Sequence, residues 1–428
     1  MDGLKFELTN EQRRYLGLAP VEAHWELVQL GEMWLWFDGD VIRKQIIVDE
    51  DGYYECELNE KTAENRTILL PKTAKGKPKK LNFTGTQSFG QFGVYFRFGE
   101  YVTIASYTTQ TTFYSEELGE STTIDDLQAW LDGWMADSSE EDLREIDAFR
   151  EAKRQHCKFA EGDFFAIRIG RRRWGFGRIL IDVARRRKTE EFKAEGNYGL
   201  DRLMGKPLIV KVYHKIADTL DVDLDELAAC AAMPAQAVMD NHFYYGENRV
   251  IGHRDVTIED YGDDLLISYS RGLSRETADI IYLQYGLIYR ESTLDKFCKY
   301  LVRRNPERGY DEENPYRNES IGFGLDTDEL EACIAAGSNE PYWSRKNFFR
   351  REMDLRNPCN AAVKREIFGA FGLDGDKGYA ENLALATGVS VDASDDKASD
   401  AGSDKISGTA EVKHTKPSIW SILKRTKG

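Results

Sequence analysis

The stretch Asp163-Phe164-Phe165-Ala166-Ile167-Arg168-Ile169, then Gly170-Arg171-Arg172-Arg173, then Trp174-Gly175-Phe176-Gly177-Arg178-Ile179-Leu180-Ile181-Asp182-Val183 decides the fold. Two runs rich in aromatic and β-branched residues flank a short polar segment led by glycine, which reads as a β-hairpin. Gly175 and Gly177 fall inside the second run. A dinucleotide fingerprint needs its glycines at a strand-to-helix turn, so these two instead serve strand twist or a close backbone approach.

Outward from the hairpin, a β-rich unit runs from Phe159 to about Ser270, with Leu208 to Tyr213 as a further strand and Leu224 to Met233 as a short Ala-rich helix. Asp221, Asp223 and Asp225 lie at the start of that helix, but Glu226 and Ala232 stand where a calcium loop needs Gly and Glu. These acids read as favourable charges at a helix N-terminus.

Residues 1 to about 115 read as another β-rich unit after a short helical start, where Thr9 and Gln12 have capping-box spacing. Asp38-Gly39 and Asp51-Gly52 break aromatic and β-branched runs, and Phe92, Val94, Phe96 and Phe98 alternate as in a strand. Lys72 to Lys80 holds five lysines and reads as a solvated hairpin loop. From Thr122 to His156 the pattern is helical, with Ser138 and Glu141 as the expected capping box of the second helix. That pair suits a connector between the β-rich units and a helical arm of the first equally well.

From Glu276 the chain reads as mostly helical, with Ile280, Ile281, Leu283, Leu287 and Ile288 as an apolar band and further helices over 294–302, 326–336, 343–355 and 361–371. After about Gly388, Ser, Asp, Ala, Lys and Gly dominate, the composition of a disordered tail, which ends in a short amphipathic patch from Ile419 to Leu423. The expected fold class is α+β: two antiparallel β-rich units joined by helices, a helical C-terminal region and a disordered tail. The corresponding boundaries are 1–120, a helical connector at 121–157, 158–272, 273–387 and 388–428.

The 428 residues carry 74 acidic and 58 basic side chains, a formal charge of -16, and 41% of them are hydrophobic. Such a chain can bury several cores without staples. No apolar run reaches bilayer length, and Met1-Asp2-Gly3-Leu4-Lys5 lacks the basic flank and apolar core of a signal peptide, so a cytoplasmic protein without membrane contact is expected. Cys56, Cys157, Cys230, Cys298, Cys333 and Cys359 lie far apart with no Cys-x-x-Cys pair and read as reduced packing thiols.

Phosphate loops, zinc-protease helices and serine-hydrolase elbows are missing from the sequence, and no cofactor is expected. His214, His242 and His253 lie in one stretch with Asp240 and Asp255 as conceivable metal ligands, but their spacing suits hydrogen-bonded strand ends better. Charge is more informative. Ten basic residues against three acidic ones lie between Arg168 and Lys193, leaving 48 basic and 71 acidic residues elsewhere. A basic hairpin on an acidic body can meet carboxylates or phosphates, or it can compensate neighbouring acids.

The segment from Phe159 to Ile167, with Gly162-Asp163-Phe164-Phe165-Ala166-Ile167, followed by Trp174-Gly175-Phe176-Gly177-Arg178-Ile179-Leu180, resembles the opening of the immunity protein 26 family of bacterial polymorphic toxin systems. The resemblance extends over about 158 to 270, through Pro207-Leu208-Ile209-Val210 and Val250-Ile251-Gly252. It implies a cytoplasmic protein that binds the C-terminal toxin domain encoded beside it and neutralises it by steric and electrostatic occlusion. Arg168 stands where the family commonly has proline, and Arg171 to Arg173 where it has a Gly/Asp turn. These departures, with the neighbouring aromatics, make Arg171, Arg172, Arg173, Trp174, Phe176 and Arg178 the expected partner-binding residues. The family label is shared with a phosphotriesterase, so a metal-dependent hydrolase is the alternative. A nucleic-acid binder using the same hairpin is a second alternative, which the overall acidity disfavours.

Overall fold

The computed structural model describes residues 4–70, 79–272, 280–293, 296–300, 321–345 and 351–388. The chain divides into two compact units. One comprises 1–158, 168–173 and 242–249; the other comprises 159–167, 174–241 and the residues from 250 onward.

The first unit is built on an antiparallel sheet of β1 (Glu26–Leu30), β2 (Met33–Asp38), β3 (Val41–Val48), β4 (Tyr53–Ala63), β5 (Ile68–Leu69), β6 (Lys79–Lys80), β7 (Phe92–Phe98), β8 (Tyr101–Ser106) and β9 (Thr111–Glu117). The strands run in the order β1-β2-β3-β4-β7-β8-β9, with β5 and β6 continuing from β4. One face packs Ile46, Phe96 and Ile104 against Leu16, Leu131 and Ile146 of the helical segments. The helices Leu127–Asp137 and Glu140–Glu151 therefore cover this sheet.

Thr9 and Gln12 form the expected reciprocal cap. The second expected cap is displaced by one residue: Ser139 and Asp142, not Ser138 and Glu141, form the box. The reason is local, since the Ser138 hydroxyl donates back to the Trp134 carbonyl at 2.6 Å and so closes the preceding helix.

At the centre of this unit a fully buried carboxylate organises three elements. Glu55 Oε1 accepts from Arg13 Nε at 2.9 Å and Lys44 Nζ at 2.7 Å, and Oε2 accepts from the Tyr53 hydroxyl at 2.6 Å. Burial alone pushes the Glu55 carboxyl up, but Lys44 and Arg13 outweigh it and hold the group at about 2.

In the second unit's sequence region, β10 (Asp163–Ile169), β11 (Arg173–Asp182), β12 (Pro207–Ala217), β13 (Gln236–Met239) and β14 (Arg249–His253) form a sheet in the order β13-β12-β11-β10-β14. A second, antiparallel sheet holds β15 (Ile267–Arg271), β16 (Ile280–Tyr285) and β17 (Ile288–Thr293). Its last two strands replace the helix expected over the apolar band. Tyr285 pairs with Ile288 across a two-residue turn in which Gly286 adopts φ +53°, and a Cβ there would lie 2.6 Å from Leu265 Cδ1. Because β16 is buried on both faces, its sequence shows no alternation that would mark it as a strand.

Leu283 and Tyr285 join Leu180, Ile209, Tyr269 and Phe368 in the main core of this unit. Helices follow at Leu330–Ala336, Glu340–Ser344, Ala361–Ala370 and Tyr379–Thr387. Of the expected helices, 326–336 is present only from Leu330 and 361–371 ends one residue early. The described part of 294–302 forms turns; of the helix expected over 343–355, the described residues hold the end of the short helix Glu340–Ser344 and a 3-10 turn at Arg351–Met353, and 346–350 lie outside the described residues. Most of the lysine loop, the remainder of 294–302, the tail and the Ile419 to Leu423 patch lie outside the described residues. Among the described residues no helix is long and apolar enough to cross a membrane.

Glu55→Gln takes the buried carboxylate away from Lys44 and leaves Arg13 only the more distant Glu7 at 3.4 Å, and is expected to lower the unfolding free energy by about 3–5 kcal/mol in urea titrations followed by tryptophan fluorescence. The folded-state value lies below the ordinary 4.5, so the stabilisation is full above that pH and is lost as pH falls toward about 2. The gap between wild type and variant should close over that window.

Candidate functional site

The tip joining β10 to β11 is tied down within the first unit. The Arg171 guanidinium lies 3.8 Å over the Trp134 ring, and its Nη2 donates to Ser138 Oγ at 2.6 Å. Arg172 grips Asp142 with two nitrogens, Nε to Oδ1 at 3.0 Å and Nη2 to Oδ2 at 2.7 Å. Those hydrogen bonds, with those from Ser139, hold the Asp142 carboxyl far below the usual carboxylate range. Arg168 donates to Glu145 at 3.2 Å and lies 5.0 Å over the Phe113 ring. Arg171 is largely buried, whereas Arg172 keeps 47% of its side chain exposed and Arg173 is exposed.

The other three expected contact residues are interior. Trp174 is 9% exposed, and Phe176 and Arg178 have no exposed surface. The two aromatics pack with Phe164, Ala166, Tyr213 and Leu227. Their expected exposure is corrected by the strand itself, which is buried from Trp174 to Ile181 on both faces and has no solvent side.

Burial of Arg178 has recruited a set of partners. Its Nη1 lies 2.6 Å from Asp260 Oδ1, and Nη2 donates to the carbonyls of Arg254 at 2.7 Å and Asp255 at 3.1 Å. Asp260 also accepts from Arg254 Nη2 at 2.9 Å and, as the third residue of a short helix Ile258–Tyr261, from the Thr257 backbone at 2.7 Å. Lys211 faces Arg178 in the β11–β12 register and donates to the Asp260 carbonyl at 2.5 Å. Its burial pushes the ammonium down to about 8. Three cations thus gather around one side-chain carboxylate, and together they fasten β11 to the segment from Arg254 to Asp260.

Two of the glycines in the resemblance, Gly177 and Gly162, have steric roles in the same place. A Cβ on Gly177 would sit 2.4 Å from Phe165 Cζ and 2.5 Å from the Lys211 carbonyl. Gly162, at φ +93°, lets the Arg254 carbonyl approach to 2.4 Å of where a Cβ would be. The close-approach reading of Gly177 therefore holds.

The histidines do not converge. His214 Nε2 meets Asn339 Oδ1 at 2.9 Å, His242 Nδ1 meets Glu247 at 2.9 Å, and His253 Nδ1 meets Asp163 Oδ1 at 2.6 Å. Each is engaged by its own neighbour, and among the described residues no group of three or more His, Cys, Asp or Glu is placed to hold a metal. Asp223 caps the helix Leu224–Ala229 as its N-terminal acid, and Asp225 pairs with Arg254. Much of the basic run is likewise structural: Arg186 Nη2 donates to Glu161 at 2.7 Å, and Arg187 donates to the Leu200 and Leu203 carbonyls at 2.6 Å.

Lys211, Arg254 and Asp260 were not singled out from the sequence. The signal that points to them is an arginine in the middle of an apolar strand, which requires a buried acid, together with the capping-box spacing of Thr257 and Asp260.

Arg178→Met removes one partner from a buried pair and should cost about 3–5 kcal/mol in urea unfolding, with Arg178→Lys failing to restore it because lysine cannot reach both carbonyls and the carboxylate. Asp163 raises the His253 value, so the pair stabilises the fold below the ordinary histidine range and loses that effect as pH rises through the raised value. His253→Asn should therefore lower the melting temperature at pH about 5.5 and leave it unchanged at about 8.5, measured by differential scanning fluorimetry.

No curated protein and no solved structure matches the chain. Residues 160–277, which hold Gly162, Gly177, Arg178, Lys211, Arg254 and Asp260, match the family model described as Immunity protein 26, in agreement with the resemblance read from the hairpin.

Proposed function

We propose that the protein is an immunity protein that binds a cognate toxin domain in the cytoplasm and neutralises it by occupying its surface, with no chemistry of its own. The observation that carries this reading is the match of residues 160–277 to the Immunity protein 26 model. The chain's formal charge of -16 supports it, since an acidic inhibitor associates quickly with a basic toxin surface.

Within this reading, Arg172 and Arg173 make the contact at the hairpin tip and Arg171 anchors it on Trp134 and Ser138, while Trp174, Phe176 and Arg178, which are interior, make no contact with the partner. Asp142 fixes the Arg172 fork before any partner arrives, which reduces the side-chain entropy lost on binding.

A tagged pull-down from the native bacterium, followed by mass spectrometry, should recover the C-terminal domain of a large secreted protein encoded nearby, and co-expression should protect cells from it. Recovery of no toxin domain, with no protection, rejects the reading. The double variant Arg172→Ser/Arg173→Ser should weaken the purified complex about tenfold by calorimetry, equivalent to about 1.4 kcal/mol. Unchanged affinity would remove the tip from the interface while leaving the function standing.

A further inference from the structure

We propose that an open groove on the first unit receives a Lys- or Arg-bearing segment of the toxin. The identity of the donor rests on the immunity reading; the groove's preference for a basic segment does not.

The groove lies on the sheet face opposite the helices and has a volume of about 630 Å³. This is within the roughly 300–1,000 Å³ of typical ligand sites. Register fixes its floor: Ile47 pairs with Tyr54, Tyr54 with Arg97, and Arg97 with Thr103, so the row crosses β3, β4, β7 and β8 on one face. Three half-buried tyrosines build the aromatic part. The rings of Tyr95 and Tyr107 are 4.5 Å apart, those of Tyr54 and Tyr95 are 6.1 Å apart, and the Tyr54 and Tyr107 hydroxyls meet at 2.8 Å.

The rim consists of the turn between β3 and β4, with Asp49 and Asp51, and the turn after β7, with Glu100; Glu120 completes it. Asp49 is partly committed to its own turn, accepting from the Asp51 and Gly52 amides at 3.0 and 2.9 Å. Asp51, Glu100 and Glu120 are exposed. Against four acids the groove wall carries one cation, Arg97. Tyrosine faces attract guanidinium and ammonium groups, and the carboxylate rim adds the matching charge. An acidic or neutral occupant would meet the same rim as repulsion or uncompensated desolvation.

Arg97 gives the proposal a sign that general acidity lacks, because removing this like charge from the groove should strengthen binding of a basic segment. The test uses the full chain and a fluorescein-labelled Arg-Gly-Arg-Gly-Arg peptide, read by anisotropy at low salt. The wild type should bind, and Asp51→Lys/Glu100→Lys/Glu120→Lys should weaken binding about tenfold or more. Tyr95→Leu should weaken it as well, Arg97→Gln should tighten it, and reversal of three exposed acids elsewhere, Asp218→Lys/Asp221→Lys/Glu226→Lys, should leave it within about twofold. No binding by the wild type, equal losses in the groove and control variants, or no gain with Arg97→Gln would overturn the proposal. The groove variant is then titrated against the captured toxin domain. Wild-type binding with no loss in the variant overturns the groove as a toxin site and leaves the immunity reading intact. Failure to capture any toxin strikes the immunity reading, while the peptide series still decides the groove's basic preference.

Discussion

A guanidinium with no exposed surface has to be matched from the interior, and Arg178 imposes that requirement on the segment that matches the immunity family. Unpaired, it would carry the full cost of a desolvated charge. Asp260 and two backbone carbonyls meet it, which specifies where the chain from Arg254 to Asp260 must pass. That path brings the Arg254 carbonyl against Gly162, and Phe165 and the Lys211 carbonyl lie against Gly177. The Gly-Asp-Phe-Phe opening and the Gly-Phe-Gly-Arg run thus belong to one packing unit. Their spacing follows from a ring and two carbonyls occupying positions a side chain would fill.

The first unit meets the same constraint with the charges exchanged. Glu55 is the buried anion, and Arg13 from the N-terminal helix and Lys44 from β3 converge on it. Here the ionic centre links the helical cover to the sheet, whereas around Asp260 it links a strand to a loop. In both places the apolar core supplies the larger burial energy and the charged centre specifies which segments meet, the role for buried ions that coiled-coil registers exemplify.

The parts legible in the sequence are those governed by local rules. The hairpin around Gly170, the Thr9 cap, the Asp-Gly turns and the acids ahead of the Leu224 helix depend on residues a few positions apart. The β16–β17 hairpin was not legible, because burial on both faces gives a continuous apolar run that also suits a helix. Trp174 and Phe176 suggested a contact surface by composition, but exposure depends on which strands flank β11, and that is a long-range property. Of the candidate site, the sequence located the basic tip but could not show that Arg171 and Arg172 were already engaged by Trp134 and Asp142.

That engagement alters how the charge of the chain acts. The ten basic residues between Arg168 and Lys193 stand out in the linear sequence, yet Arg168, Arg171, Arg172, Arg178, Arg186 and Arg187 each pair with an acid or a carbonyl of the fold. A paired arginine projects a weaker field than its formal charge suggests, because the field of an ion pair falls off faster than that of a lone charge, and salt screens what remains beyond a Debye length. The long-range field therefore follows the overall excess of acids. On the proposed immunity reading, that acidity sets how fast a basic partner arrives, and the Arg172 fork, fixed by Asp142, sets how it is oriented at contact.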